Sequence, residues 1–183
     1  MASWKHSASS GAADNSPLFA LGPDASIEAR LGQRCPDKPM TWQGRFRTAI
    51  AMAQLLLASA LVRFVPMRVW RGYLGSLADP LSIPQQEPDD AVLRTASRHT
   101  LHVIRAASHF PFTVKCLPQA MVLQWQLRSS RIASNLVIAM LKSGRTAAQD
   151  PYHAWVELGG IMILGNCERS DYAVLMTLSN QPA

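Results

Sequence analysis

The sequence predicts an α+β fold in which apolar helices precede a small group of strands. Two segments indicate helices: a nearly unbroken apolar run over residues 49–62, and apolar residues at helical spacing over 116–127. The continuous apolar segment Leu136–Leu141 is typical of a buried strand. The pair Gly159-Gly160, flanked by apolar residues, indicates the tight turn of a β-hairpin.

Composition supports a folded core and excludes several classes of protein. Of the 183 residues, 48% are hydrophobic and 16% are charged, the reverse of a disordered chain. The net charge of +6 favours an acidic partner, but it is too small and too dispersed to indicate nucleic acid. The three cysteines, Cys35, Cys116 and Cys167, are too widely spaced for a disulfide framework or a zinc module. We therefore expect no metal and no cofactor.

The chain divides at about residue 40. Residues 1–40 are mostly polar and lack the basic start and the apolar stretch of ~7–15 residues that a secretory signal needs. We therefore predict a cytoplasmic protein with a flexible N-terminal extension over 1–40, in which Ala25–Gly32 forms a helical turn or two. Residues 41–183 are predicted to form the single functional domain.

The apolar run 49–62 is shorter than the ~20 residues that cross a membrane. We interpret it as a core helix and keep an interfacial membrane helix as the alternative, with no stable insertion expected. Five arginines and no acidic residue lie between residues 42 and 72, a pattern that fits either a docking face or a solvated surface.

Turn signals define the remaining elements. Prolines predict a loop over Ala78–Pro88, and Asp89 and Asp90 then begin a helix that runs to about Ser108. A second loop is predicted over Ser143–Pro151. Strands are predicted at Tyr152–Leu158 and Ile161–Leu164, while Tyr172–Leu178 fits either a strand or a short helix.

Cys116 is the candidate nucleophile. Pro118 is compatible with a helix only in its first turn, which places Cys116 at a helix N-terminus. The free N–H groups and the dipole there stabilise a thiolate, and Lys115 adds a positive charge. The alternative is a buried cysteine that acts as a small apolar side chain.

His153 is the candidate base, and Asn166 is the candidate that orients it. Strand alternation places His153 and Trp155 on one face of a strand. If the two glycines form the turn, the hairpin register pairs Trp155 with Leu164 and His153 with Asn166. Asn166 is then in reach of the imidazole, although a different loop would place Gly165 there. A helix-borne cysteine followed by a strand histidine and an amide is the arrangement of papain-like and transglutaminase-like sites.

The same residues carry a family resemblance. The chain resembles the lasso peptide biosynthesis B proteins, which are transglutaminase-like leader peptidases, over roughly Thr41–Leu178. The gap of 37 residues between the cysteine and the histidine also fits that family. The similar strings are Cys116-Leu117-Pro118-Gln119-Ala120, Leu136-Val137-Ile138 and His153-Ala154-Trp155-Val156-Glu157.

The resemblance implies a cysteine protease that removes the leader from a lasso peptide precursor, with Cys116 as nucleophile and His153 as base. It further implies a fold in which the cysteine helix packs on a small antiparallel sheet. The third residue in that family is typically an Asp on the following strand, which this chain lacks. Asn166 is the first choice for the role, with Glu157 and Asp171 as fallbacks. Gln119 is a weak candidate for the oxyanion hole.

The resemblance also implies partners. The 40 N-terminal residues are too few and too polar for the leader-recognition domain that some relatives carry. We therefore expect a split form that works with a separate leader-recognition protein and an asparagine-synthetase-like cyclase that uses ATP. Two alternatives remain open: a transglutaminase-like acyltransferase or amidase with another substrate, and a non-catalytic binding module of the same fold.

Overall fold

The computed structural model describes residues 42–78, 87–142 and 151–181. The predicted extension 1–40, with its helical turn at Ala25–Gly32, lies outside these residues. So do most of the two predicted loops, over 79–86 and 143–150.

The described residues form four α-helices and five strands, which confirms the α+β class. Residues Tyr172–Leu178, left open between strand and helix, belong to a strand. The helices are α1 (Trp42–Phe64), α2 (Met67–Trp70), α3 (Asp90–Ser108) and α4 (Cys116–Ser129). The strands are β1 (Ser76–Ala78), β2 (Ser134–Leu141), β3 (Tyr152–Leu158), β4 (Ile161–Leu164) and β5 (Tyr172–Asn180). Short 3-10 turns occupy Arg71–Tyr73 and Arg169–Asp171.

The five strands form one antiparallel sheet in the order β1-β5-β2-β3-β4. One face packs against α4, and α1, α3 and α4 pack on one another behind it. The alternation predicted for β3 is observed: Ala154, Val156 and Leu158 join the helical core, whereas Trp155 belongs to a small cluster on the opposite face. The sheet therefore separates two apolar environments, with β3 contributing to both.

The β3–β4 hairpin departs from the predicted register. Both turn glycines have positive φ, 55° and 84°, as the turn requires, and Leu158 pairs with Ile161 as predicted. However, a bulge follows, and Val156 rather than Trp155 pairs with Leu164. The extra residue ends β4 at Leu164, so the predicted strand pairing of His153 with Asn166 is wrong. β3 consequently extends four residues beyond its last pairing with β4.

The first helix is longer than its apolar run and is buried on one side only. α1 spans 23 residues, and only Thr48, Ala51, Leu55 and Ala58 are buried. Within the described ranges it is the one helix long and apolar enough to cross a membrane. α1 therefore contributes one face to the core, as the core-helix interpretation predicts, and exposes the other.

Candidate active site

Helix α4 begins at Cys116, as predicted. The preceding residue, Lys115, has an extended backbone, and Pro118 occupies the first turn, where its missing N–H costs no helical hydrogen bond. The Gln119 side chain donates from Nε2 to the Val114 carbonyl over 2.7 Å and so fixes the segment that enters the helix. Gln119 thus supports the helix start, and its part in the oxyanion hole stays a prediction.

The Cys116 sulfur is surrounded by hydrogen-bond donors. Burial raises the pKa of the Cys116 thiol, but the His153 side chain and the backbone N–H groups of Ala154 and Leu117 lower it. The net effect is a pKa below the ordinary thiol value. The backbone at Ala154 is available for this contact because β4 pairs with β3 no farther than Val156. The short β4 and the start of α4 together create the environment of the sulfur.

The His153 ring is held in one orientation. Its Nε2 lies 3.1 Å from the carbonyl oxygen of Gly165. Because a carbonyl oxygen only accepts, Nε2 carries the hydrogen, which leaves Nδ1 as the ring atom for Cys116. The rings of Tyr172 and Trp155 lie 5.5 and 6.2 Å from the imidazole, centroid to centroid, and limit its rotation. The structure therefore brings Cys116 and His153 together.

Gly165 can accept this hydrogen bond because it lacks a side chain. Its φ is +88°, a region that favours glycine. A Cβ at this position would lie 2.7 Å from the Ala154 carbonyl oxygen and 2.8 Å from Cβ of Trp155. The sequence places Gly165 opposite His153 only if the hairpin loop also includes Leu158. The available signal was the Gly165-Asn166 dipeptide directly after a strand, which is typical of a turn with positive φ.

The three predicted orienting side chains have different surroundings. Asn166 follows Gly165 directly, outside β4, and its role stays a prediction. The Glu157 carboxylate accepts the Trp155 indole N–H over 2.6 Å and pairs with Arg169 over 3.2 Å. Asp171 lies in the 3-10 turn before β5. The Gly165 carbonyl faces the His153 ring directly, so it is an orienting group that the structure supports, and the three predicted side chains stay predictions.

Cys167 contrasts with Cys116. Burial raises the pKa of the Cys167 thiol to about 11, an effect that the positive charge of Arg169 only partly offsets. Burial also raises the pKa of Tyr172, with a smaller contribution from the Cys167 thiolate that forms only at high pH. Cys167 is therefore a neutral thiol at physiological pH, and of the two described cysteines only Cys116 has a lowered pKa.

A cavity of about 490 Å³ lies at the other end of α4. It is lined by backbone and polar groups that include Arg128, Ser179 and Asn180. Arg128 is twelve residues from Cys116 along the helix, a distance of about 18 Å at 1.5 Å per residue. The cavity is thus separate from the cysteine site. Within the described ranges, no three His, Cys, Asp or Glu residues are grouped to hold a metal ion.

Comparison with known proteins places this site in a family. No curated protein and no solved structure gives a significant match to the chain. The family model of the transglutaminase-like superfamily matches residues 61–177, well over half of the chain and a range that includes Cys116, His153 and Gly165. Together with the α+β fold, this match identifies the chain as a member of the transglutaminase-like superfamily.

Proposed function

We propose that the chain is a cytoplasmic cysteine peptidase that removes the leader peptide from a lasso peptide precursor. The observation that carries the proposal is the contact of Cys116 with His153, whose ring is in turn oriented by the Gly165 carbonyl. A nucleophile, a base and a group that orients the base are the three parts of a cysteine peptidase site.

The geometry supports a conventional acyl-enzyme reaction. His153 Nδ1 takes the thiol proton, and the Cys116 sulfur attacks the carbonyl carbon of the last leader residue. Backbone N–H groups at the start of α4 stabilise the resulting oxyanion. His153 then returns the proton to the amine of the released core peptide. A water molecule, deprotonated by His153, attacks the thioester and frees the leader as a carboxylic acid.

The choice of substrate rests on the resemblance to lasso peptide B proteins. The strings at 116–120 and 153–157 contain Cys116 and His153, the two residues that meet in the structure. On this proposal a separate recognition protein delivers the leader. An asparagine-synthetase-like cyclase then uses ATP to close the macrolactam ring of the freed core.

The test is cleavage of a lasso precursor peptide followed by mass spectrometry. The full chain is incubated with the precursor, with and without the leader-recognition protein, and Cys116→Ala is the control. We expect free leader and core from the unaltered chain and none from Cys116→Ala, whose fold is checked by circular dichroism. Cleavage that persists in Cys116→Ala would refute the proposal.

Two other functions use the same site and are distinguished by simple additions. An acyltransferase would pass the acyl group from Cys116 to an added primary amine. The product would then be an amide rather than the acid that hydrolysis gives. A binding module is favoured by one observation: the group that accepts from Nε2 of His153 is a neutral carbonyl. A non-catalytic thiol would react slowly with iodoacetamide at mildly acidic pH, whereas a thiolate held by His153 reacts readily.

A further inference from the structure

The side of α1 that faces away from the core is apolar along its whole length. We define the outer face of α1 by its large exposed side chains, whose exposed fractions range from 41% to 83%. Three exposed alanines, Ala49, Ala53 and Ala60, fill the spaces between them. The large side chains are Trp42, Phe46, Ile50, Leu56, Leu57 and Phe64.

The outer face of α1 is a larger apolar patch than the surface of a soluble monomer usually exposes. Contiguous apolar patches of this kind on a protein surface mark interaction sites. The opposite side of the same helix, with Ala51, Leu55 and Ala58, is buried in the domain. A helix attached to the domain along one side does not cross a bilayer, so a docked partner must cover the outer face from outside.

The charges around the outer face select an acidic partner. Arg45 and Arg63 are exposed near the two ends of α1, and Arg68 follows in α2. No Asp or Glu occurs anywhere from residue 42 to residue 78. A second copy of the chain on this face would bring arginine against arginine without compensation. The charge pattern therefore argues against a symmetric dimer and for an anionic surface.

The chemistry of the face selects a lipid surface over an acidic protein. From Phe46 to Phe64 the side chains of the outer face carry no hydrogen-bonding atom. Protein interfaces contain about one hydrogen bond per 100–200 Å², whereas lipid acyl chains require none. The face is also wider than a two-stranded coiled-coil seam, because Ala49 and Leu56 lie beside the Phe46–Ile50–Ala53–Leu57 row.

We propose that α1 binds reversibly to anionic membranes, lying in the plane of the interface. The outer face enters the boundary between headgroups and acyl chains, and the flanking arginines contact acidic headgroups. Trp42 lies at the N-terminal end of α1, a residue type common at membrane interfaces. The proposal is independent of catalysis, because it uses no atom of the Cys116 site.

The test is flotation of the full chain with lipid vesicles. Mixed phosphatidylcholine–phosphatidylserine vesicles are compared with pure phosphatidylcholine. We expect binding to the anionic vesicles that weakens with salt, and little binding to the neutral ones. The double variant Phe46→Gln/Leu57→Gln should bind the anionic vesicles at least roughly tenfold more weakly, since two inserting side chains are lost. Arg45→Ser/Arg63→Ser should lose the preference for phosphatidylserine.

The control is Leu77→Gln/Leu175→Gln, which removes equally exposed apolar side chains from β1 and β5. It should bind vesicles like the unaltered chain. Alkylation of Cys116 by iodoacetamide should be the same in all variants, which shows that each one is folded. The proposal is overturned if the unaltered chain stays off anionic vesicles, or if the control loses binding equally. It is also overturned if Phe46→Gln/Leu57→Gln disrupts self-association and leaves lipid binding unchanged.

Discussion

His153 is oriented by a backbone carbonyl, and this has two consequences for Cys116. The Gly165 oxygen fixes the tautomer as well as a carboxylate would. A carbonyl oxygen cannot donate, so the ring nitrogen that faces it must carry the hydrogen. However, it carries no formal charge, so it stabilises an imidazolium less than an aspartate does. The backbone N–H groups of Ala154 and Leu117 supply part of the thiolate stabilisation instead.

Gly165→Ala should therefore damage the site without touching Cys116 or His153. An added Cβ meets the Ala154–Trp155 backbone at 2.7–2.9 Å, and the φ of +88° is strained for alanine. We expect a loss of about 1–3 kcal/mol in the free energy of unfolding. We also expect the iodoacetamide reaction of Cys116 to move to higher pH, because a displaced His153 no longer offsets the burial that raises the thiol pKa.

The matched control is Gly72→Ala, since a Cβ at Gly72 would meet no atom within 4 Å. It should change the free energy of unfolding by less than about 0.5 kcal/mol and leave the alkylation profile unaltered. Urea denaturation and the pH dependence of alkylation measure both effects. An unchanged alkylation profile in folded Gly165→Ala would show that the carbonyl does not position His153.

The sequence was informative about Cys116 and His153 and less so about their surroundings. Pro118 and strand alternation each act within a few residues, so they could be interpreted locally. Gly165 could not be found in that way, because its position depends on the bulge that lets Val156 pair with Leu164. The extra residue in β4 has no turn signal of its own, and tertiary packing determines where it is placed.

At the scale of elements, α4 joins the cysteine site to the rest of the sheet. Its first residue is Cys116, and its buried middle carries Gln124, which has no solvent exposure. Gln124 Nε2 lies 3.2 Å from the carbonyl oxygens of Leu74, Ser134 and Leu178, and Oε1 accepts the Ser134 hydroxyl over 2.9 Å. One amide thus connects the helix to β2, β5 and the segment before β1.

Gln124→Met should test this connection because it keeps the side-chain length and removes the polar atoms. Buried carbonyl groups would lose a donor, and the Ser134 hydroxyl would lose its acceptor. We expect the free energy of unfolding to fall by about 2–3 kcal/mol, measured by urea denaturation. Gln43→Met, at an exposed position of α1, is the control and should be nearly neutral. A stable Gln124→Met protein would mean that the amide contributes no net stabilisation.

At the scale of the whole molecule, a chain of polar side chains connects the three long helices. Gln126 in α4 donates from Nε2 to Gln54 Oε1 in α1 over 2.8 Å, so its own Oε1 faces His99 Nδ1 in α3 at 3.1 Å. Nδ1 of His99 must then donate, and its Nε2 lies 3.1 Å from the Ser130 hydroxyl. Burial lowers the pKa of His99 and so favours the neutral imidazole, in which Nε2 accepts from that hydroxyl.

The same helices should make the fold sensitive to acid. Burial lowers the pKa of His99 and His102 below 6.5. At His99 the hydrogen bond with Gln126 partly offsets burial by raising the pKa, and the positive charge of Arg47 has a smaller lowering effect. At His102 the charge of Arg47 lowers the pKa further. Below pH 6.5 the unfolded chain therefore binds more protons at these positions than the folded chain. Stability then rises with pH in that range and falls on acidification.

We expect the urea concentration at the midpoint of unfolding to decrease between pH 7.5 and pH 5, and to decrease less in His99→Gln/His102→Gln. His109→Gln, at the exposed end of α3, should retain the full decrease. An equal decrease in the double variant would assign the acid sensitivity to other groups, because His99 and His102 are the two partly buried imidazoles of α3 whose pKa burial lowers.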